Sequence, residues 1–385
     1  MTQAEVVREG FAALYGTEPE GVWQAPGRVN VIGEHTDYNE GFMLPIALAH
    51  AARVAVSRRG DGRLRLYSAQ YPDGGVVELR LGELAPGSLD GWAAYPAAVV
   101  WALRRAGYGV GGADLYLDSD VPTGAGLSSS AALECAVATA YNDLYGLGLA
   151  PSRLAGLCQG AENDFVGVPC GILDQLASCC CAQGHALFVD ARSLGIRQVP
   201  FDLAGQGLVL LVVDTRVKHA HADGAYAERR EGCERAAALL GVRALRDVPY
   251  GGLEQALGRL PRGELRALTR HIVTEDARVE RVTGLLEAGD LRGMGPVLTE
   301  GHASMRDDFA ISCAETDLAV AAAVGAGAWG ARMTGGGFGG SVIALADAAD
   351  ARAVTTAVAE AFAVRGWTAP RAFTAVPGPG ARRLA

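Results

Sequence analysis

Residues 121–131, VPTGAGLSSSA, leave the surrounding chain little choice of local structure. Ahead of them Ala113, Leu115 and Leu117 alternate with Asp114, Tyr116 and Asp118, the two-residue period of a half-buried strand. Behind them Leu133, Val137, Tyr141 and Leu144 recur at helical spacing, and Gly146 supplies a stop. The chain is therefore expected to pass from strand to helix through a turn in which Gly124 and Gly126 allow tight bending and close approach to a ligand. Ser128, Ser129 and Ser130 bring hydroxyls and free amides to the positive start of that helix, where anions bind well. The run Gly124, Ala125, Gly126, Leu127, Ser128, Ser129, Ser130 thus reads as a polyphosphate cradle, although a capped helix with a tight entry would look the same locally.

Two common nucleotide sites are excluded. The GxxxxGK[ST] loop needs a lysine on the outer phosphates, and the only lysine of this chain, Lys218, lies elsewhere. A dinucleotide fingerprint would need a third glycine where Ser129 stands.

Two further segments bear on the chemistry. Gly27 to Asn39 reads GRVNVIGEHTDYN, and Met333 to Ser341 reads MTGGGFGGS. Five glycines within residues 335–340 suit neither a packed helix nor a strand, since each costs about 0.5–1 kcal/mol there, and imply a close-approach loop. Together the three segments resemble the GHMP small-molecule kinases, and the first resembles the galactokinase signature within them. The resemblance continues through PCGILDQLAS (Pro169 to Ser178), GHALFVDARSL (Gly184 to Leu194), the Tyr226 to Arg230 stretch and SMRDDFAISC (Ser304 to Cys313), so it covers nearly the whole chain. Departures are local: Thr123 precedes the first glycine of the turn, and Ala314 and Thr316 replace a common proline and an aliphatic residue.

The resemblance implies an α+β, two-domain GHMP kinase architecture, with an S5-like N-terminal domain, a ferredoxin-like C-terminal domain and the active site in the cleft between them. Its implied activity is transfer of phosphate from ATP to the anomeric hydroxyl of α-D-galactose, giving galactose 1-phosphate and ADP. Asp174 would be the general base, with Arg28 beside it to hold the carboxylate ionised and offset charge on the transferred group. Glu34, His35, Asp37, Gly171, Asp174 and Tyr226 would hold the sugar; carboxylates and an imidazole offer the directional partners that hydroxyls need. Ser130 and Glu162 would hold Mg²⁺, a hard cation that takes few protein ligands beside phosphate oxygens. Trp92 would flank adenine. Open alternatives are a kinase for a related sugar such as N-acetylgalactosamine, and a non-catalytic galactose/ATP sensor, which would be expected to lack the base or an intact turn.

At 385 residues the chain exceeds one ordinary core, and the division is expected near residue 185, giving parts 1–185 and 186–385. The apolar run Leu208 to Val213 suits a strand covered on both faces, Ser341 to Leu345 a further strand, and Pro261 to Gly289 a helical stretch. A net charge of −9 disfavours nucleic acid, whose phosphates call for basic patches. Glu5, Arg8 and Glu9 interrupt any leader-like apolar run, and no segment is long enough to span a bilayer, so a cytoplasmic protein with no membrane partner, acting as a monomer, is expected. Eight cysteines are too sparse for a disulfide scaffold and read as small buried thiols. His219 and His221 form an HxH without further ligand spacing.

Overall fold

A computed structural model describes residues 2–217 and 222–385; the HxH of His219 and His221 lies outside the described residues. Its strands are β1 (Gly21–Asn30), β2 (Phe42–Met43), β3 (Pro45–Arg59), β4 (Arg63–Ser68), β5 (Val77–Arg80), β6 (Gly112–Ser119), β7 (His185–Asp190), β8 (Gly195–Pro200), β9 (Leu208–Asp214), β10 (Gly330–Thr334), β11 (Ser341–Asp347), β12 (Arg371–Ala375) and β13 (Arg382–Arg383). They form three sheets, ordered β13-β1-β3-β6-β4-β5, β10-β11-β9-β12 and β2-β7-β8.

The alternating stretch before the serine turn is β6, which pairs antiparallel with β3 and parallel with β4. From it the chain enters the turn and then the helix Ser129–Leu144, which lies across β1 and β3 and buries Ala132, Cys135, Ala136, Val137, Ala140 and Tyr141. The register of β1 against β3 shifts between Pro26 and Arg28. This irregularity positions the site, because a Cβ on Gly27 would stand 2.7 Å from the carbonyl oxygen of Leu127, and the Arg28 N–H donates to that same oxygen at 3.1 Å. The bulge lets β1 touch the serine turn directly.

The run Leu208–Val213 forms β9, held between β11 and β12, as its uninterrupted apolar pattern predicts. The helical stretch read from Pro261 runs from Glu264 to Glu287. Its start is displaced because Gly263 takes φ 103°, a conformation that the helix cannot include.

The hydrophobic cores do not part at residue 185. Ala186, Leu187, Val189 and Val199 of the β7–β8 hairpin pack into the first core, and β13 returns near the C-terminus to pair Arg383 with Trp23 of β1. Helix Glu264–Glu287 serves both cores, with Leu268, Ile272 and Val273 in the second and Val279, Val282 and Leu286 in the first. The hairpin and the C-terminal half of this helix take apolar cover from across the expected division, which periodicity along the chain does not encode. No helix among the described residues is long and apolar enough to cross a membrane.

Candidate active site

Asp174 is the second residue of the helix Leu173–Cys180. Arg28 Nε donates to its Oδ1 at 2.8 Å and Nη2 lies 2.6 Å from the same oxygen, while Arg28 Nη1 donates to the Gly126 carbonyl at 2.5 Å. Ser128 donates to Asp174 Oδ2 at 2.5 Å. Ser128 takes φ 59° and ψ 51°, a left-handed backbone uncommon for serine, and its hydroxyl makes no cap to the helix that it precedes. Its hydroxyl is thereby given to Asp174, and the first N–H groups of the helix, which have no intrahelical acceptor, are left for an anion.

The third glycine segment is the back wall of this turn. Ser341 Oγ donates to the Ala125 carbonyl at 2.7 Å, and a Cβ on Gly335, at φ 89°, would stand 3.1 Å from the Gly126 oxygen. Gly124 and Gly126 both have positive φ, 72° and 73°. Ala125 and Leu127 are 1% exposed with their side chains in the first core, so these two can offer a ligand only backbone.

A cavity of about 420 Å³ opens beside Asp174, lined by Arg28, Glu34, His35, Asp37, Gly171, Asp174, Tyr226 and Ser128 together with Asn30, Cys170 and Gly335 to Gly337. All six residues read as sugar-binding thus meet in one place. Asp37 approaches Gly171 so closely that a Cβ there would fall 1.6 Å from Asp37 Oδ2. Burial, with Asp174 nearby, raises the Asp37 carboxyl to about 6. Two of the six are already committed to the protein. His35 Nδ1 lies 2.7 Å from the Tyr38 hydroxyl and Nε2 lies 3.1 Å from the Gly336 carbonyl, which makes Nε2 the donor and Nδ1 the acceptor of a neutral ring; burial lowers its pKa to about 4. Glu34 Oε2 pairs with Arg332, and Glu34 Oε1 accepts from the Gly335 N–H at 3.3 Å. Burial raises Glu34 to about 7 against the pull of Arg332.

Arg332 and its partner Glu275 escaped the sequence reading. The Arg332 guanidinium is fully buried and bonds Glu275 at 2.7 Å, while Glu275 also accepts from the Gly33 N–H at 2.9 Å and pairs with Arg278. Burial works against Glu275, but Arg332, Arg278 and His271 hold its carboxyl well below the usual range. The signal that could have exposed them is charge within strand and helix faces otherwise apolar, since buried charges are rarely tolerated unpaired.

Across the serine turn lies a second cavity of about 340 Å³, lined by Ser129, Ser130, Leu133, Thr123, Tyr71, Trp92 and Tyr95 among others. The rings of Tyr71 and Trp92 are parallel within 1°, with centroids 6.4 Å apart. The turn is therefore the partition between two cavities, with Ser128 facing one and Ser129 and Ser130 the other.

Glu162 begins a π-helical turn, Glu162–Val166, and is 5% exposed, not the surface carboxylate that its helical context suggests. Gln175 Nε2 donates to its Oε2 at 2.7 Å and Cys170 Sγ at 3.4 Å, and the Ser130 hydroxyl bonds to the same carboxyl. Burial and Asp174 raise Glu162 to about 7, so the ionised form lacks a compensating charge. A carboxylate and a hydroxyl at the serine turn, in a carboxylate-rich corner, are donors of the kind that Mg²⁺ takes.

The galactokinase galactose-binding signature matches residues 9–58. The N-terminal domain of the GHMP kinases matches residues 94–182, and their C-terminal domain residues 282–364. A galactokinase of Streptomyces coelicolor is 64% identical over 382 residues, spanning 99% of this chain and 98% of its own. One from Mycobacterium tuberculosis is 46% identical over 93% of this chain and 97% of its own. Among solved structures, Lactococcus lactis galactokinase complexed with galactose superposes at a TM-score of 0.94 with 31% identity, over the whole of both chains. Mevalonate kinase of Methanococcus jannaschii, at 16% identity and a TM-score of 0.67 over 94% of this chain and 98% of its own, shares the fold.

Proposed function

Because the chain belongs to the galactokinase family, we propose that its two cavities hold galactose and ATP and that phosphate passes between them beside the serine turn. The enzyme is a galactokinase of GHMP architecture. The observation that carries the site reading is the place of Asp174: it lines the larger cavity and is bonded through Ser128 to the turn that bounds the smaller one.

In this reading galactose lies over Asp37, Asp174 and Tyr226, while Glu34 and His35 chiefly shape the loop that holds it. The triphosphate runs along the N–H groups of Gly124 to Ser130, and adenine rests against Trp92 and Tyr71. Asp174 accepts the proton of the anomeric hydroxyl, whose oxygen bonds to the terminal phosphorus as the bond to ADP breaks; galactose 1-phosphate and ADP leave. Arg28 fixes the Asp174 carboxylate and adds positive charge where the phosphoryl group passes, so the protein's contribution is positioning and electrostatic stabilisation. Ser130 and Glu162 would hold Mg²⁺, which supplies charge neutralisation of the phosphates. A monomeric state and a cytoplasmic location belong to the same proposal.

The test is ADP formation by the purified protein with a panel of sugars. Turnover that requires galactose is expected, whereas ADP release indifferent to sugar would remove the assignment of the larger cavity, and preference for N-acetylgalactosamine would reassign it.

A further inference from the structure

Behind Glu162 lies a group that this mechanism does not use. Glu134 is fully buried, one helical turn beyond Ser130, and its only hydrogen-bond partner among the described residues is Gln175, whose Nε2 donates to Glu134 Oε2 at 3.3 Å. Two oxygens in this pair have no partner among the described residues: Glu134 Oε1 and Gln175 Oε1. Burial is the largest influence on Glu134, and the titratable groups that act on it, Glu162, Cys135 and Asp174, are themselves acids, so its carboxyl is held well above the usual range. A buried carboxylate with no cation is costly and takes up a proton instead. One proton on Glu134 also resolves both orphan oxygens at once, because an acid and an amide pair reciprocally: the amide N–H donates to the acid carbonyl, and the acid O–H donates to the amide oxygen.

We propose that Glu134, as a neutral acid, is a positioning residue that locks the amide of Gln175 with its N–H group aimed at Glu162. If that amide turned over, its oxygen would face the Glu162 carboxylate, which would lose its 2.7 Å donor. With the acid–amide pair in place only one orientation satisfies every group, and the Glu162 oxygen is held where Gln175 places it. The inference rests on the reading of Glu162 as a Mg²⁺ ligand.

The experiment uses the full chain with substitutions Glu134→Gln, Glu134→Leu and Glu162→Gln, and measures Mn²⁺ affinity in the presence of ATP by paramagnetic resonance together with KM for galactose. Glu134→Leu is expected to weaken Mn²⁺ about 10-fold to 100-fold, the usual effect of removing a group that orients a metal ligand, with KM for galactose unchanged. Glu134→Gln keeps the reciprocal pair as an amide dimer and should retain wild-type Mn²⁺ affinity. Infrared difference spectra between wild type and Glu134→Gln should show the loss of one protonated-carboxyl stretch. Loss of Mn²⁺ affinity in Glu134→Gln, or no such band, overturns the inference, and these two readings decide even if Glu134→Leu fails to fold. Unchanged Mn²⁺ affinity in Glu162→Gln would instead remove the reading of Glu162, leaving the infrared result to judge the protonated pair.

Discussion

At the scale of single residues, the site depends on contacts that fix a few atoms and leave others free. Asp174 is held on both oxygens, by Arg28 and Ser128, yet its side chain stays 28% exposed toward the cavity. Asp174→Ala is expected to lower kcat about 10²-fold to 10⁴-fold, the range for loss of a general base, while nucleotide affinity changes little; retained turnover would show that another group takes the proton. Gly171→Ala places a methyl group on Asp37 Oδ2 and must push that carboxylate aside. We expect a raised KM for galactose with KM for ATP unaltered, and equal rises in both would place Asp37 outside the sugar site. At this scale the sequence was legible where a motif is contiguous, as with Arg28, Glu34, His35 and Asp37. What His35 and Glu34 actually touch was not, since Gly336 and Arg332 stand about 300 positions away and no local pattern links them.

At the scale of elements, the strand, turn and helix around residues 113–144 could be read directly, because period two gives way to period 3.6 across a glycine–serine turn. The Ser341 strand and the enclosed β9 were legible for the same reason. The helix Glu264–Glu287 was visible as a helix, but its double duty was not, because its two apolar stripes look continuous in sequence and separate only against the two cores. The same helix holds Asp276, whose Oδ1 accepts from the Phe42 N–H at 2.8 Å and so anchors the end of the loop between β1 and β2. Burial, helped by Glu275 and Glu280 and opposed by Phe42 N–H and Arg246, raises Asp276 to about 7. A raised carboxyl adds stability below its unfolded value near 3.8, and that contribution is lost as pH climbs through about 7. Asp276→Asn has no proton to lose, so its stability relative to wild type should increase between pH 4 and pH 8. At ~1.4 kcal/mol per pKa unit the change should be readily measured by urea unfolding, and parallel pH profiles for the two proteins would refute it.

At the scale of the molecule, the loop between β1 and β2 is joined to β10 through a buried cation. Arg332 in β10 bonds both Glu34 and Glu275, and Thr334 Oγ1 donates to the Asn30 carbonyl at 2.7 Å beside it. Removing that charge by Arg332→Met leaves Glu275 with Arg278 and takes from Glu34 the cation that pairs with it, and breaking a buried pair typically costs about 3–5 kcal/mol. Equilibrium unfolding should register that loss, together with weaker galactose binding as Glu34 and Gly335 part. A loss below about 1 kcal/mol would mean that the network is no more than a surface-like pair.

The parallel rings of Tyr71 and Trp92 carry one more consequence. An indole that lines the smaller cavity and not the larger one makes the protein an optical reporter for the proposed nucleotide site. A purine resting on that indole should dim its emission, so titrating ATP and galactose separately would read out which compartment fills first without any label.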